Sequence, residues 1–376
     1  MRIAILTLPF HSNYGGVLQA FALQTVLQRM GHEVAVVDKN RYRHRSWLRQ
    51  QVAFGAFLVR KYVLRRNVEY VNLRRLENEQ RTVEKPIRDF VDTHLYLVPV
   101  NDLLHEFPMS VDAVVVGSDQ VWRPKYFTRA YGCPMDNAFL SFLHGRTIKR
   151  IAYAASFGTE NWEYSNEQTH LCSRFIQLFD AVSVRESSAI RLCKERLGRG
   201  DACRMPDPTL LLSRDDYLSL CDKQNEPRRY MFYYVLDETA EIRSKAESIA
   251  KERGLVLKQV KGDVDNPHLP VRERIKAPVE EWIKSINNAD FVFTDSFHGC
   301  VFSILFGIPF VVLGNSNRGL DRFNTLLSVY HLEKNYIPSI HQYDPGVDYS
   351  VPKGVELVLD IERNNAYSFL RRNLEK

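Results

Sequence analysis

The chain has 376 residues, of which 45% are hydrophobic and 26% charged, with a formal net charge of +6 at neutral pH. That balance excludes a disordered chain, and the absence of any run of about 18 apolar residues excludes a membrane-spanning helix. The length favours two cores over one.

Six cysteines, at 133, 172, 193, 203, 221 and 300, are irregularly spaced and form no Cys-x-x-Cys pair. Reduced, buried thiols are therefore expected rather than disulfides or a zinc site, with the cytoplasm as the compartment. Arg2–Leu8 is too short for a secretory leader and reads as a first strand. The positive charge is local: from Lys39 to Arg75 there are eleven Lys or Arg against one acid, Glu69. No nucleic-acid reading module accompanies that basic stretch, so nucleic acid is not an expected partner.

In chain order, Arg2–Leu8 predicts a parallel-type strand, Pro9–Gly16 a loop, Val17–Met30 an amphipathic helix ended by Gly31, and Val34–Val37 a second strand. The loop lacks G-x-G-x-x-G, so no dinucleotide fingerprint is present. Its Gly15-Gly16 pair fits either a close backbone approach to a ligand or a tight turn into the helix. Tyr42–Gln80 is a basic, helix-compatible insertion. It reads first as a solvated helical hairpin and second as a surface that approaches anionic lipid or a lipid-linked diphosphate. Val111–Val116 delivers G-S-D-Q-V-W, placing Asp119 and Gln120 at a strand end with Trp122 as an aromatic plate. Ile151–Ala155 leads to Ser156-Phe157-Gly158, and Ala181–Val184 leads to Arg185. A guanidinium at a strand end can grip carboxylate or phosphate through its planar fork, or pair with Glu186.

Asp207–Leu212, stiffened by Pro206 and Pro208, reads as an interdomain passage. Tyr230–Leu236, Glu238–Arg253 and Leu255–Val260 then open a second β-α-β unit, and Pro278–Asn288 is a helix. The organising stretch is Ala289–Leu313, A-D-F-V-F-T-D-S-F-H-G-C-V-F-S-I-L-F-G-I-P-F-V-V-L. It predicts a buried strand, a polar turn, a short apolar helix stopped by Gly307 and Pro309, and another strand. His298 and Ser296 fall beyond the carboxyl end of that strand at a helix N-terminus, where open α/β sheets bind ligands and helix-end N–H groups favour anions. Asn315–Arg322 is a further polar strand-end loop carrying Arg318 and Arg322, and Tyr367–Leu374 is a terminal helix.

Six blocks in order, I-L-T-L-P-F-H-S-N-Y-G-G-V-L-Q-A, V-V-V-G-S-D-Q-V-W, Y-A-A-S-F-G, A-V-S-V-R-E-S-S, D-P-T-L-L-L and F-V-F-T-D-S-F-H-G-C-V-F-S-I-L-F-G-I-P-F, together resemble the polysaccharide pyruvyl transferase family. The resemblance implies an α/β protein of two Rossmann-like domains in a GT-B-like arrangement around an interdomain cleft. The expected division is 1–205, with the basic insertion at 40–80 and completed by a C-terminal helix at 355–376, and 206–354. The implied activity is transfer of a pyruvyl (carboxyethylidene) group from phosphoenolpyruvate to two hydroxyls of a sugar, forming a cyclic ketal in surface or capsular polysaccharide biosynthesis.

His298 matches the family's general acid, and Arg185 the arginine associated with the donor's anionic groups. Asp119 matches the acid of the G-S-D block and is the nearest sequence candidate for a hydroxyl base. Ser296, Gly299, Ser156 and Arg318 complete the expected donor site, and Asn13, Tyr14, Gly15, Gln120 and Trp122 the acceptor site. Some members carry Arg two residues before the histidine; Ser296 stands there, and Arg318 or Arg322 is the expected substitute. Phosphoenolpyruvate is the donor substrate, with no other cofactor and no metal, and the acceptor is a free or lipid-linked sugar. Peripheral membrane contact is assigned to 41–75. Two other functions fit this architecture: a GT-B glycosyltransferase using a nucleotide sugar, and a non-catalytic glycan- or membrane-binding protein.

Overall fold

The structure, a computed structural model, describes residues 1–39, 47–65, 73–222, 229–260, 262, 266, 269–315 and 319–375. Arg318 and the parts of the basic insertion at 40–46 and 66–72 lie outside the described residues.

The described strands are β1 (Arg2–Leu6), β2 (Glu33–Lys39), β3 (Leu97–Val100), β4 (Ala113–Val116), β5 (Lys149–Ala155), β6 (Ala181–Val184), β7 (Cys203–Arg204), β8 (Tyr230–Tyr234), β9 (Val256–Lys258), β10 (Phe291–Thr294), β11 (Phe310–Leu313) and β12 (Tyr336–Ile337). They form two parallel sheets, ordered β3-β2-β1-β4-β5-β6-β7 and β12-β11-β10-β8-β9. Both orders are those of doubly wound α/β folds, and the chain is a two-lobed, GT-B-like α/β protein. Central strands such as Ala113–Val116 and Phe291–Thr294 are buried at every position, because helices cover both faces of a parallel sheet. That is why they read as unbroken apolar runs.

Strand order reverses between β1 and β4 in the first sheet and between β8 and β10 in the second. At such a switch the connections leave in opposite directions and open a crevice at the carboxyl ends of the strands. Asn13 follows β1, Asp119 follows β4 and His298 follows β10, so the polar loops singled out in the sequence belong to these crevices.

The lobes are joined by apolar contact. The helix Tyr14–Arg29 starts at Tyr14, whose ring stacks on Trp282 with centroids 5.3 Å apart and whose hydroxyl donates to the Ala277 carbonyl at 2.9 Å. Tyr217 packs against Phe21 of that helix at 6.5 Å and meets Phe302 edge-on at 4.8 Å. One continuous cluster runs from Ile3 and Ile5 through Tyr14, Tyr217 and Trp282 to Val292 and Phe302. Each such aromatic pair adds about 0.5–1.5 kcal/mol beyond its buried area.

The last helix runs Val355–Leu374, inside the expected 355–376. Its Arg363 donates to the Leu210 and Leu212 carbonyls at 2.9 and 3.0 Å, Glu362 pairs with Arg204 at 2.6 Å, and Phe369 meets Tyr153 of β5.

Candidate active site

The helix Phe297–Phe306 begins with Ser296 as its N-cap, so His298 occupies the second helical position. β10 ends at Thr294, whose hydroxyl donates to the Tyr234 carbonyl at 2.6 Å and accepts the Ser296 N–H at 3.0 Å. Asp295 accepts the Leu236 and Asp237 N–H groups at 2.6 and 3.1 Å. These bonds fix the turn, and the turn fixes the imidazole.

His298 is buried, and its Nε2 lies 3.6 Å from Asp207 Oδ2, a charge contact too long for a hydrogen bond. The same carboxylate oxygen accepts Arg185 Nη1 at 2.7 Å and the Ser118 hydroxyl at 3.1 Å. Its other oxygen accepts the Thr209 N–H and hydroxyl at 3.0 and 2.7 Å. Asp207 therefore gathers β4, β6, β10 and the linker onto one side chain. Burial by itself would raise the Asp207 carboxyl; His298 and Arg185 more than offset that and hold it well below the usual carboxylate range.

Arg185 is likewise buried, and among the described residues only its Nη1 has a hydrogen-bond acceptor; Nε and Nη2 have none there. Asp119 Oδ1 stands 3.7 Å from Nη2, and Glu186 Oε2 stands 3.9 Å from Nε. The guanidinium carbon sits 4.4 Å from the centroid of the Phe297 ring, and that of Arg322 sits 5.4 Å from the same ring. Two buried cations thus meet one aromatic ring, next to the histidine. Burial, and then repulsion from Arg185, pulls the Arg322 guanidinium down to about 10, so it stays charged at neutral pH. Burial also raises the Glu186 carboxyl, partly offset by Arg185.

Asp119 has a left-handed backbone, φ 63, which Asp tolerates better than most residues. Its carbonyl accepts the Val121 and Ser156 N–H groups at 2.8 and 3.1 Å, so the strained turn is tied down from two sides. Asp119 also lines a cleft of about 960 Å³ in the first lobe. Asn13, Gln120, His11, Tyr126 and Arg129 line the same cleft. The cleft does not reach His298 or Arg185 directly, and Asp119 is the residue common to both places.

Several expected site residues are placed elsewhere. Trp122 is no plate: it is fully buried, stacked on Phe139 at 4.8 Å, with its indole N–H on the Ala138 carbonyl. Tyr14 is part of the seam between the lobes. Ser156 is buried and donates to Glu186 Oε1 at 2.9 Å, which also accepts the Phe157 N–H at 2.8 Å. The Gly299 N–H donates to the Ser296 hydroxyl oxygen at 3.4 Å, so that N–H is occupied by the helix cap. A side chain on Gly299 would strike Thr294 Oγ1 at 2.5 Å, so packing demands this glycine. Trp122, Tyr14 and Ser156 turn inward from the loops that follow strands, and their polar atoms are paired there because a buried polar group must be.

Asn13 caps the first helix, accepting the Gly15 N–H at 3.1 Å, and remains at the cleft wall. Gln120 accepts Arg123 Nη1 at 2.9 Å there. Gly15 touches the centre from the opposite lobe: a side chain on it would stand 1.9 Å from His298 Nδ1. The sequence did not single out Asp207, Glu186, Phe297 or Ser118 as site residues. Asp207 carried a legible signal, an acid inside the apolar run M-P-D-P-T-L-L-L, where burial requires a cationic partner.

A family model described as polysaccharide pyruvyl transferase matches residues 13–317. No curated protein matches the chain by sequence. Among solved structures, the chain is similar to a UDP-GlcNAc 2-epimerase from Neisseria meningitidis bound to UDP-GlcNAc, at 12% identity over 100% of this chain and 99% of that one, with a TM-score of 0.48. It is also similar to MurG from Acinetobacter baumannii, at 10% identity over 99% of this chain and 94% of that one, with a TM-score of 0.41.

Proposed function

The chain belongs to the polysaccharide pyruvyl transferase family, and from that premise we propose that it moves a pyruvyl group from phosphoenolpyruvate onto two hydroxyls of a sugar, forming a cyclic ketal. The observation that carries this reading is the pair of buried guanidiniums, Arg185 and Arg322, over Phe297 and beside His298. Among the described residues, two buried donor nitrogens of Arg185 have no hydrogen-bond acceptor, an arrangement that costs stability unless an anion completes it. Phosphoenolpyruvate offers both a carboxylate and a phosphate.

In this reading His298 gives a proton to the methylene carbon of the enol phosphate, and positive charge develops at the neighbouring carbon. One sugar hydroxyl adds to that carbon as it loses its proton toward Asp119. The carbon–oxygen bond to phosphate then breaks, and the second hydroxyl closes the ring. One hydroxyl proton replaces the one delivered to carbon, and the other leaves on phosphate. Arg185 and Arg322 hold the donor's negative charge throughout, while Asp207 keeps Arg185 and His298 in fixed positions. Asp119 stands between this centre and the cleft, which suits the acceptor to the cleft and Asn13 and Gln120 to its hydroxyls. Arg318, outside the described residues, remains assigned to the donor. The acceptor belongs to a surface or capsular polysaccharide, free or lipid-linked, and the reaction to the cytoplasm.

Purified protein with phosphoenolpyruvate and a galactose- or mannosamine-type acceptor is expected to release inorganic phosphate and a product heavier by one carboxyethylidene group. Tight binding of UDP or GDP, with no effect of phosphoenolpyruvate on thermal melting, would instead identify a nucleotide-sugar glycosyltransferase.

A further inference from the structure

Within the basic insertion, the helix Trp47–Leu58 runs directly into a single π-helical turn, Val59–Val63. Apolar side chains from Val52 onward face water: Tyr62 is 68% exposed and Val63 72%. Of the seventeen large hydrophobic residues exposed in the described chain, seven lie between Val52 and Leu64. Single exposed hydrophobics are ordinary, whereas a cluster marks a surface that meets something apolar.

The same segment is cationic. Arg60, Lys61 and Arg65 are interleaved with the apolar residues, and the Lys61 ammonium lies 5.4 Å from the Phe57 ring centroid and 5.8 Å from that of Tyr62. The stretch from Lys39 to Arg75, with eleven cations and one acid, fits an occupant that is negative as well as apolar. A second copy of this chain is a poor occupant, since it would set one basic stretch against another. A spanning role is also a poor fit, because no helix of the described residues is long and apolar enough to cross a membrane.

The segment is rooted at the cleft. Lys39, where β2 ends, lines the cleft wall, and so do Gln80 and Glu84 of the helix Leu73–His94. Leu73 stands only about 10 Å along that helix from Gln80, by the rise of an α-helix. The excursion therefore leaves from the cleft wall and returns into a helix that lines it one to two turns further on.

We propose that residues 47–65 form an interfacial anchor that lies on an anionic bilayer, with its apolar residues in the acyl boundary and its cations on the headgroups. The anchor would hold the cleft mouth toward lipid-borne acceptors; this last point rests on the proposed function, whereas binding to the bilayer does not.

The full-length chain is to be sedimented with vesicles of phosphatidylcholine alone and of phosphatidylcholine mixed with phosphatidylglycerol. Binding to the mixed vesicles should exceed binding to neutral ones by about tenfold or more, and should fall in about 1 M salt, where charges are screened within ~3 Å. The variants V52S/F54S/Y62S/V63S and R60Q/K61Q/R65Q should each lose it, with unchanged circular dichroism. No vesicle binding, or binding that survives the four-serine change, overturns the proposal. So does a dimer in gel filtration that dissociates in that variant. Vesicle binding without turnover would sink the donor assignment and leave the anchor standing.

Discussion

Gly15 lies against the imidazole of His298, so closely that a methyl group in its place would stand 1.9 Å from Nδ1. The first lobe thereby forms one wall of the histidine's site in the second. Within a helix, Ala is ordinarily favoured over Gly by about 1 kcal/mol. Here the contact reverses the sign. Gly15→Ala is expected to displace the ring, lower kcat for phosphate release and lower Tm, by about 1–3 kcal/mol of overpacking. A Tm raised above that of the parent chain would contradict the closeness of the two residues.

His298→Ala removes the proposed acid. With the fold retained by circular dichroism, kcat should drop by about two to four powers of ten. Phosphate release at the parent rate would exclude His298 as the proton donor.

Arg322→Gln and Arg185→Lys test the anion seat. The first deletes a charge; the second keeps charge but loses the planar fork. Each should raise KM for phosphoenolpyruvate by about 10- to 100-fold, the value of a charge-assisted hydrogen bond. The KM for the acceptor should change little, and steady-state kinetics in both substrates separates the two outcomes.

Asp207 sets a pH dependence of stability. Its folded carboxyl is held below the ordinary value, so its stabilising contribution is complete above about pH 4 and fades as the solution becomes more acidic. Glu186, raised by burial, acts with the opposite sign: its contribution declines as pH rises past the ordinary carboxylate value. Asp207→Asn strands Arg185 in the interior and should cost about 3–5 kcal/mol. Denaturant midpoints taken from about pH 5 to about pH 3 should fall more steeply for the parent than for the variant. Parallel slopes would mean that Asp207 carries no such shift.

Cys133 lines the cleft, yet burial pushes its thiol up to about 11. Iodoacetamide near neutral pH should therefore modify it slowly in the folded protein, because the thiolate is the nucleophile. The described cysteines are all free, as their irregular spacing implied, so unfolding in denaturant should expose six reactive thiols.

Much of the fold is legible in the text of the chain. Ala113–Val116 and Phe291–Thr294 are recognisable because strands covered on both faces need only apolar residues. β3, β7 and β12 are not, since edge strands of four, two and two residues carry too little pattern. The helix after β10 begins at Phe297, inside the stretch that reads as a polar turn, because a capped first turn holds residues that look like loop.

The sequence alone determined which strand ends carry polar chemistry, and it named His298, Arg185 and Asp119 among them, because local pattern dictates where a strand stops. The tertiary structure decided which of those side chains meet. It turned Trp122, Tyr14 and Ser156 into the interior and brought Arg322 and Arg185 to the same Phe297 ring. It also made Asp207, a linker residue by its text, the junction of histidine and arginine. The physical reason is that a buried charge is stabilised by partners distant in sequence, and only the packing of two lobes brings those partners together.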